Sequence, residues 1–191
     1  ETIDLVEVHG PAAPEVEPAQ ANIRSSMITR RAAPRVFDAT SSSVPTAVRD
    51  LAAVGKCHEA ELALPQMAKA TPAAVRAQAH VMVADCYLAA RQSDEALRQY
   101  RDAAERFGST PPGQNAAYEL GAVALAQDRA DEAKTAFRAY VRRYPRGSLV
   151  AEARFHVCNL DVAAQRIDEA LACLRDYRAR HPKGDRLADA L

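Results

Sequence analysis

The sequence predicts an all-α solenoid of antiparallel helix hairpins, with three clear repeats, one degenerate repeat and an extended N-terminal tail. Three observations carry that prediction. The octapeptides SDEALRQY (93–100), ADEAKTAF (130–137) and IDEALACL (167–174) set Ala96, Ala133 and Ala170 at intervals of 37 and 37 residues. Within each interval, apolar residues recur at helical spacing. The composition agrees: 48% of residues are hydrophobic and alanine is abundant, while only 7 residues are Gly and none is Trp. Ala is the best helix former and Gly is poor inside elements, so packed helices are favoured over sheet. A chain of 191 residues is also long enough to bury a sizeable core.

The elements follow in chain order. Residues 1–43 are a different material from the rest. PAAPEVEPAQ and SSS are linker-like, and TIDLVEVHG has the β-branched, partly alternating look of one short strand. A lone strand is unstable, so this segment is disordered, pairs elsewhere, or is the cut end of a β domain. Met27, Ile28, Val36 and Phe37 are expected to lie against the first hairpin as a partly docked tail. The chain opens at Glu1 without a Met, which reads as an excised or processed fragment.

Residues 44–191 form the repeat domain, in units of about 44–72, 73–111, 112–147 and 148–184 with a short C-terminal end. The first unit is the degenerate one: CHEAELAL (57–64) puts Ala60 36 residues before Ala96. Aligning the others on their alanines also aligns Tyr100, Phe137 and Leu174, then Ala103, Tyr140 and Tyr177, then Tyr144-Pro145 with His181-Pro182. In the third unit, Ala117, Leu120, Gly121, Ala124 and Leu125 follow helical spacing. Gln127-Asp128-Arg129 breaks it, and Ala133, Phe137, Tyr140 and Val141 resume it. Pro111-Pro112 and Pro145-Arg146-Gly147 punctuate the unit. The small residues Gly121 and Ala133 let two helices approach closely, and large ones such as Leu120 and Phe137 fill the space between hairpins. One hairpin cannot bury its apolar face alone, so hairpins stack.

Small Gly121, small Ala133, aromatic Phe137 and Pro145 together resemble the tetratricopeptide repeat, a helical hairpin that stacks into a right-handed superhelix. The 37-residue period is longer than that family's usual one, and the extra residues fall in FGSTPPGQNAAYELG and YPRGSLVAEARFHV. This long form is similar to the repeats of bacterial cell-envelope proteins, of the periplasmic Tol-Pal-associated type and the outer-membrane assembly lipoprotein type. The resemblance covers roughly 44–184.

The residues that could carry chemistry give little. The Asp-Glu pairs, Asp131-Glu132 among them, fall where second helices start. There, free backbone N–H groups and the positive end of the helix dipole favour negative charge. Cys57-His58, His80 and the His156–Cys158 pair lack zinc-ligand spacing. With no phosphate loop, nucleophile elbow or Cys-His arrangement in sight, no catalytic residue, metal or cofactor is expected, and an enzyme is not expected. Lys plus Arg equals Asp plus Glu at 25 each, so nucleic acid and an anionic membrane are poor partners on charge. No apolar run reaches the length of a membrane helix. Arg138, Arg142, Arg143, Arg146, Arg175, Arg178, Arg180 and Lys183 crowd the ends of second helices, where cations suit the dipole. They read as a solvated face open to an anionic partner.

Cys57 and Cys86 lie equally far from Thr71-Pro72, as do Cys158 and Cys173 from Gln165-Arg166. In antiparallel helices equal distance from the turn means equal height. Each pair therefore either bridges, in an oxidising compartment such as the periplasm, or remains as buried thiols in a cytoplasmic core.

The resemblance implies a concave groove lined by first helices, with a protein or peptide partner in it. Val81, Tyr118 and Phe155 would form one row and Leu88, Leu125 and Val162 a second. Gln78, Asp85, Asn115, Glu152 and Asn159 would lie between them. The first row reads equally well as packing between repeats. The basic clamp with which co-chaperones of that family hold a C-terminal carboxylate is absent, because the matching positions are Val, Tyr, Phe and Asp. The expected role is a non-enzymatic interaction scaffold of a bacterial cell envelope. A regulatory or sensory arm of a larger signalling protein (anti-sigma-like or receptor-associated), a cytoplasmic adaptor and a homo-oligomer stay open.

Overall fold

The computed structural model describes residues 43–182, all within the second of two units into which the chain divides, Glu1–Arg31 and Ala32–Leu191. The short strand expected in TIDLVEVHG, the docking of Met27, Ile28, Val36 and Phe37, and Lys183 lie outside the described residues.

Among the described residues the regular elements are helices: α1 (Thr46–Ala53), α2 (Cys57–Ala63), a 3-10 turn (Leu64–Gln66), α3 (Ala73–Ala89), α4 (Ser93–Phe107), α5 (Pro111–Ala126), α6 (Ala130–Arg143), α7 (Val150–Ala163) and α8 (Ile167–Arg180). They follow one another as the hairpins α1–α2, α3–α4, α5–α6 and α7–α8. The result is an all-α solenoid of the tetratricopeptide-repeat kind. Each second helix also packs on the first helix of the next hairpin, α4 on α5 and α6 on α7.

Every hairpin turns on one left-handed residue: Gly55 (φ 78°), Arg91 (φ 60°), Asp128 (φ 58°) and Gln165 (φ 56°). In each turn two backbone hydrogen bonds close the end of the first helix. In α3–α4, the Gln92 N–H donates to the Tyr87 carbonyl at 2.8 Å and the Arg91 N–H to that of Leu88 at 3.0 Å. The same crossed pair recurs as Arg129 to Ala124 with Asp128 to Leu125, and as Arg166 to Asp161 with Gln165 to Val162. This is the Schellman arrangement, in which a left-handed residue satisfies the carbonyls a helix end leaves open.

The link into α5 is shorter than the proline pattern suggests. Pro111 and Pro112 open the helix instead of closing the preceding unit. A first-turn proline forfeits no intrahelical bond, and the Thr110 side chain caps the Gly113 N–H at 3.2 Å. The Asp-Glu pairs sit in the first turns of α4, α6 and α8, but no capping side-chain bond forms there, so their contribution is through the helix dipole.

Small residues mark where helices touch. Ala60, Ala96 and Ala133 are completely buried, and Ala170 nearly so. At Gly121 the two helices of a hairpin meet closely: a Cβ there would lie 2.7 Å from the Phe137 ring. Tyr100, Phe137, Tyr140 and Tyr177 fill the interior. Polar ties join successive hairpins. Glu61 of α2 accepts from the Tyr87 hydroxyl at 2.6 Å and from Arg98 at 2.5 Å. The buried Asp161 of α7 accepts from Lys134 of α6 and from Arg166 at 2.7 Å. Two disulfides complete the framework: Cys57–Cys86 joins α2 to α3 and Cys158–Cys173 joins α7 to α8, with Cα separations of 5.5 and 5.4 Å.

Candidate functional site

The first helices α3, α5 and α7 repeat the same positions every 37 residues, so their side chains fall into rows. The row Val81, Tyr118, Phe155 is mostly interior. Val81 is 7% exposed and Phe155 3%, while Tyr118 is half-buried. Phe155 packs its ring against Tyr177, with centroids 5.6 Å apart. Tyr118 lies among Phe137, Tyr140 and His156, and its ring is edge-on to that of Tyr140.

The other positions keep access to solvent. Leu88, Leu125 and Val162 are half-buried, as are Gln78, Asp85, Glu152 and Asn159, and Asn115 is exposed. Gln78, Asn115 and Glu152 share one register across three successive first helices. Asp85 accepts a 2.5 Å bond from the Tyr100 hydroxyl, which commits one of its oxygens to its own hairpin.

At the junction of α5 and α7 the rows meet in a connected polar array. His156 Nε2 lies 3.1 Å from the Tyr118 hydroxyl and 3.7 Å from Glu152. The His156 ring also stacks on Phe137, with centroids 4.8 Å apart and planes inclined by 15°. His156 and Tyr118 are members that sequence patterns alone did not bring together, because they come from different hairpins.

Perturbed groups mark the ties between hairpins. The Arg98 guanidinium bonded to Glu61 holds that carboxyl below its ordinary range, against the opposing effect of burial. Burial and the Glu61 carboxylate push the Tyr87 hydroxyl up to about 12. Burial raises Asp161, but hydrogen bonds from Lys134 and Arg166 outweigh it and leave the carboxyl lowered. Burial holds the His80 imidazole below its ordinary value, although it pairs with Gln99 at 2.8 Å. Glu61 and Asp161 are thus fixed as paired carboxylates, while Tyr87 and His80 are held neutral. Among the described residues no group of three or more His, Cys, Asp or Glu side chains could hold a metal ion, and no helix is long and apolar enough to cross a membrane.

The tetratricopeptide repeat family matches residues 115–146, the stretch that runs from the first turns of α5 to just past the end of α6. No curated protein matches the chain.

Proposed function

We propose that this chain is a non-enzymatic interaction scaffold that holds a protein or peptide segment along its first helices, as part of a bacterial cell-envelope assembly in the periplasm. Repeats of the matched kind generally mediate protein–protein interaction. One observation carries the reading onto this chain: Leu88, Leu125 and Val162 occupy the same register on α3, α5 and α7 and all stay half-exposed, with Asp85 and Asn159 one turn away and the amide and acid row Gln78, Asn115, Glu152 further along the same helices. Apolar anchors with a few convergent polar groups suit a segment laid across successive hairpins. Val81 and Phe155 contribute through the core instead. The two disulfides support the periplasm, since such bonds persist in oxidising compartments.

The test is capture of envelope proteins from the source cell by the immobilised chain. Asn115→Arg combined with Val162→Glu removes capture while the melting temperature stays within a few degrees. Arg101→Glu on α4 leaves capture intact. Unchanged capture by the groove variant sinks the reading. Fractionation of the host cell tests the compartment.

A further inference from the structure

A cleft opens between α6 and the last hairpin, away from the first-helix rows. Its volume is about 300 Å³. Val141, Val157 and the Cys158–Cys173 disulfide contribute apolar lining, and Arg138, Arg142 and Arg154 contribute cations. Asp176, the one acid in the lining, is bonded to Arg180 at 2.7 Å and lies 3.5 Å from Arg154. Arg138 and Arg142 lie one helical turn apart on α6, both exposed, and neither has an ion-pair partner among the described residues.

The repeat supplies an internal control. Moving each cation back by one 37-residue period lands on Arg101, Glu105 and Ala117. Three cations become one cation and one acid, so the basic rim belongs to this junction and is no by-product of the repeat. Two further arginines, Arg175 and Arg178, lie in line with the exposed Leu171 on the outer face of α8, around a separate hollow, and take no part in this cleft. Within the cleft, the two guanidinium groups of Arg138 and Arg142, unpaired among the described residues, stand beside an apolar floor, a combination that one small anion does not satisfy. The apolar lining and the Asp176 carboxylate disfavour a phosphate backbone.

We propose that this cleft binds an acidic, apolar peptide segment of a partner protein, with a Leu or Phe side chain on the disulfide floor and flanking carboxylates on Arg138 and Arg142. Arginine suits this task, because its planar fork takes a carboxylate through two parallel hydrogen bonds. The proposal rests on the reading of the chain as a protein-interaction scaffold and gives it a second surface with a stated partner chemistry.

Fluorescence polarisation with the fluorescein-labelled peptide Gly-Glu-Glu-Leu-Phe-Glu-Gly tests it on the full oxidised chain. Saturable binding is expected, weakened about tenfold or more by Arg138→Glu with Arg142→Glu and likewise when Gln replaces Glu in the probe. Arg101→Glu, one repeat earlier, leaves binding unchanged. Both substituted arginines are exposed, and an unchanged melting temperature shows that the double variant folds. The proposal is overturned by no saturable binding up to about 1 mM, by equal binding of the Gln probe, or by full binding to the double variant. It is also overturned if an oligothymidylate strand binds the cleft more tightly than the peptide. Absence of probe binding by a chain that still captures a partner through its first helices removes the cleft alone. Loss of that capture removes the broader reading.

Discussion

Replacing Gly121 with alanine tests whether close helix contact, and not helix propensity, chose the residue at this position. In an exposed helix interior Gly→Ala is stabilising by about 1 kcal/mol. At Gly121 the added Cβ would lie 2.7, 2.8 and 2.9 Å from three Phe137 ring atoms. The ring has nowhere to retreat: it is completely buried, stacked on His156 and tilted against Tyr118 with centroids 5.3 Å apart. Overpacking of this kind costs about 1–3 kcal/mol. The expected net effect of Gly121→Ala is therefore a loss of about 1 kcal/mol, the clash outweighing the propensity gain. Phe137→Leu supplies the cross-check, because the last hairpin already pairs a larger residue, Cys158, with a leucine, Leu174, in the same register. In the Phe137→Leu background, Gly121→Ala should turn stabilising, giving a coupling of about 2 kcal/mol in a double-mutant cycle followed by urea unfolding. If Gly121→Ala alone stabilises by the full propensity gain, or if the two changes add without coupling, the close-contact reasoning is refuted.

Asp128→Gly, at a left-handed turn where the first hairpin already uses Gly55, should stabilise by about 0.5–1 kcal/mol in thermal melts, and glycine at Arg91 or Gln165 should act alike. Because burial holds folded His80 below its ordinary value, its stability contribution is fully present above about pH 6.5 and is lost as the pH falls below that, when the unfolded chain takes the proton first. His80→Leu with Gln99→Leu, which replaces both members of the buried pair, should flatten that slope below about pH 6.5, measured by urea midpoints.

The repeat was legible because its causes are local. Helices touch only at small residues, so Ala96, Ala133 and Ala170 recur wherever a second helix meets its partner, and the period exposes itself. Cysteine pairing was legible for a similar reason, since height in an antiparallel hairpin is counted along the chain. The rows were harder. A first-helix position facing the neighbouring hairpin and one facing solvent differ by about one residue of rotation, or 100°. At Val81 and Phe155 an apolar residue suits either environment, and both went to the core. The polar breaks located turns at Gln127-Asp128-Arg129 and Gln165-Arg166, but the left-handed residue in each hid because Arg91, Asp128 and Gln165 carry no glycine signature, although their spacing matches that of the alanines. Arg142 read as a cation complementing a helix end. Only the stacked structure brings Arg154 of the next hairpin into the same cleft. A trace was present all the same, because the shift by one period turns Glu105 into Arg142 and Ala117 into Arg154.

The placement of the two disulfides follows from the physics of a stack. A hairpin in the middle is held by neighbours on both sides, whereas among the described residues the outer hairpins have one. The middle is secured by packing: Tyr100, Phe137 and Tyr140 are completely or almost completely buried. On the outer side of α8, Ile167 and Leu171 are 58% and 45% exposed, so that hairpin gains less from burial. The cross-links fall at these two places. Cys57–Cys86 ties the short α1–α2 hairpin to α3, and Cys158–Cys173 closes α7 on α8 across a separation of 15 residues. A loop of that length is worth about 3 kcal/mol in chain entropy, comparable with burying one or two large apolar side chains. Reduction should therefore loosen the stack from its ends. Hydrogen exchange in dithiothreitol is expected to accelerate first in α1, α2, α7 and α8 while α4, α5 and α6 keep their protection, and intact mass should rise by about four hydrogens. Uniform acceleration along the chain would show that the cross-links support the whole stack equally, and the end-sealing argument would then fail.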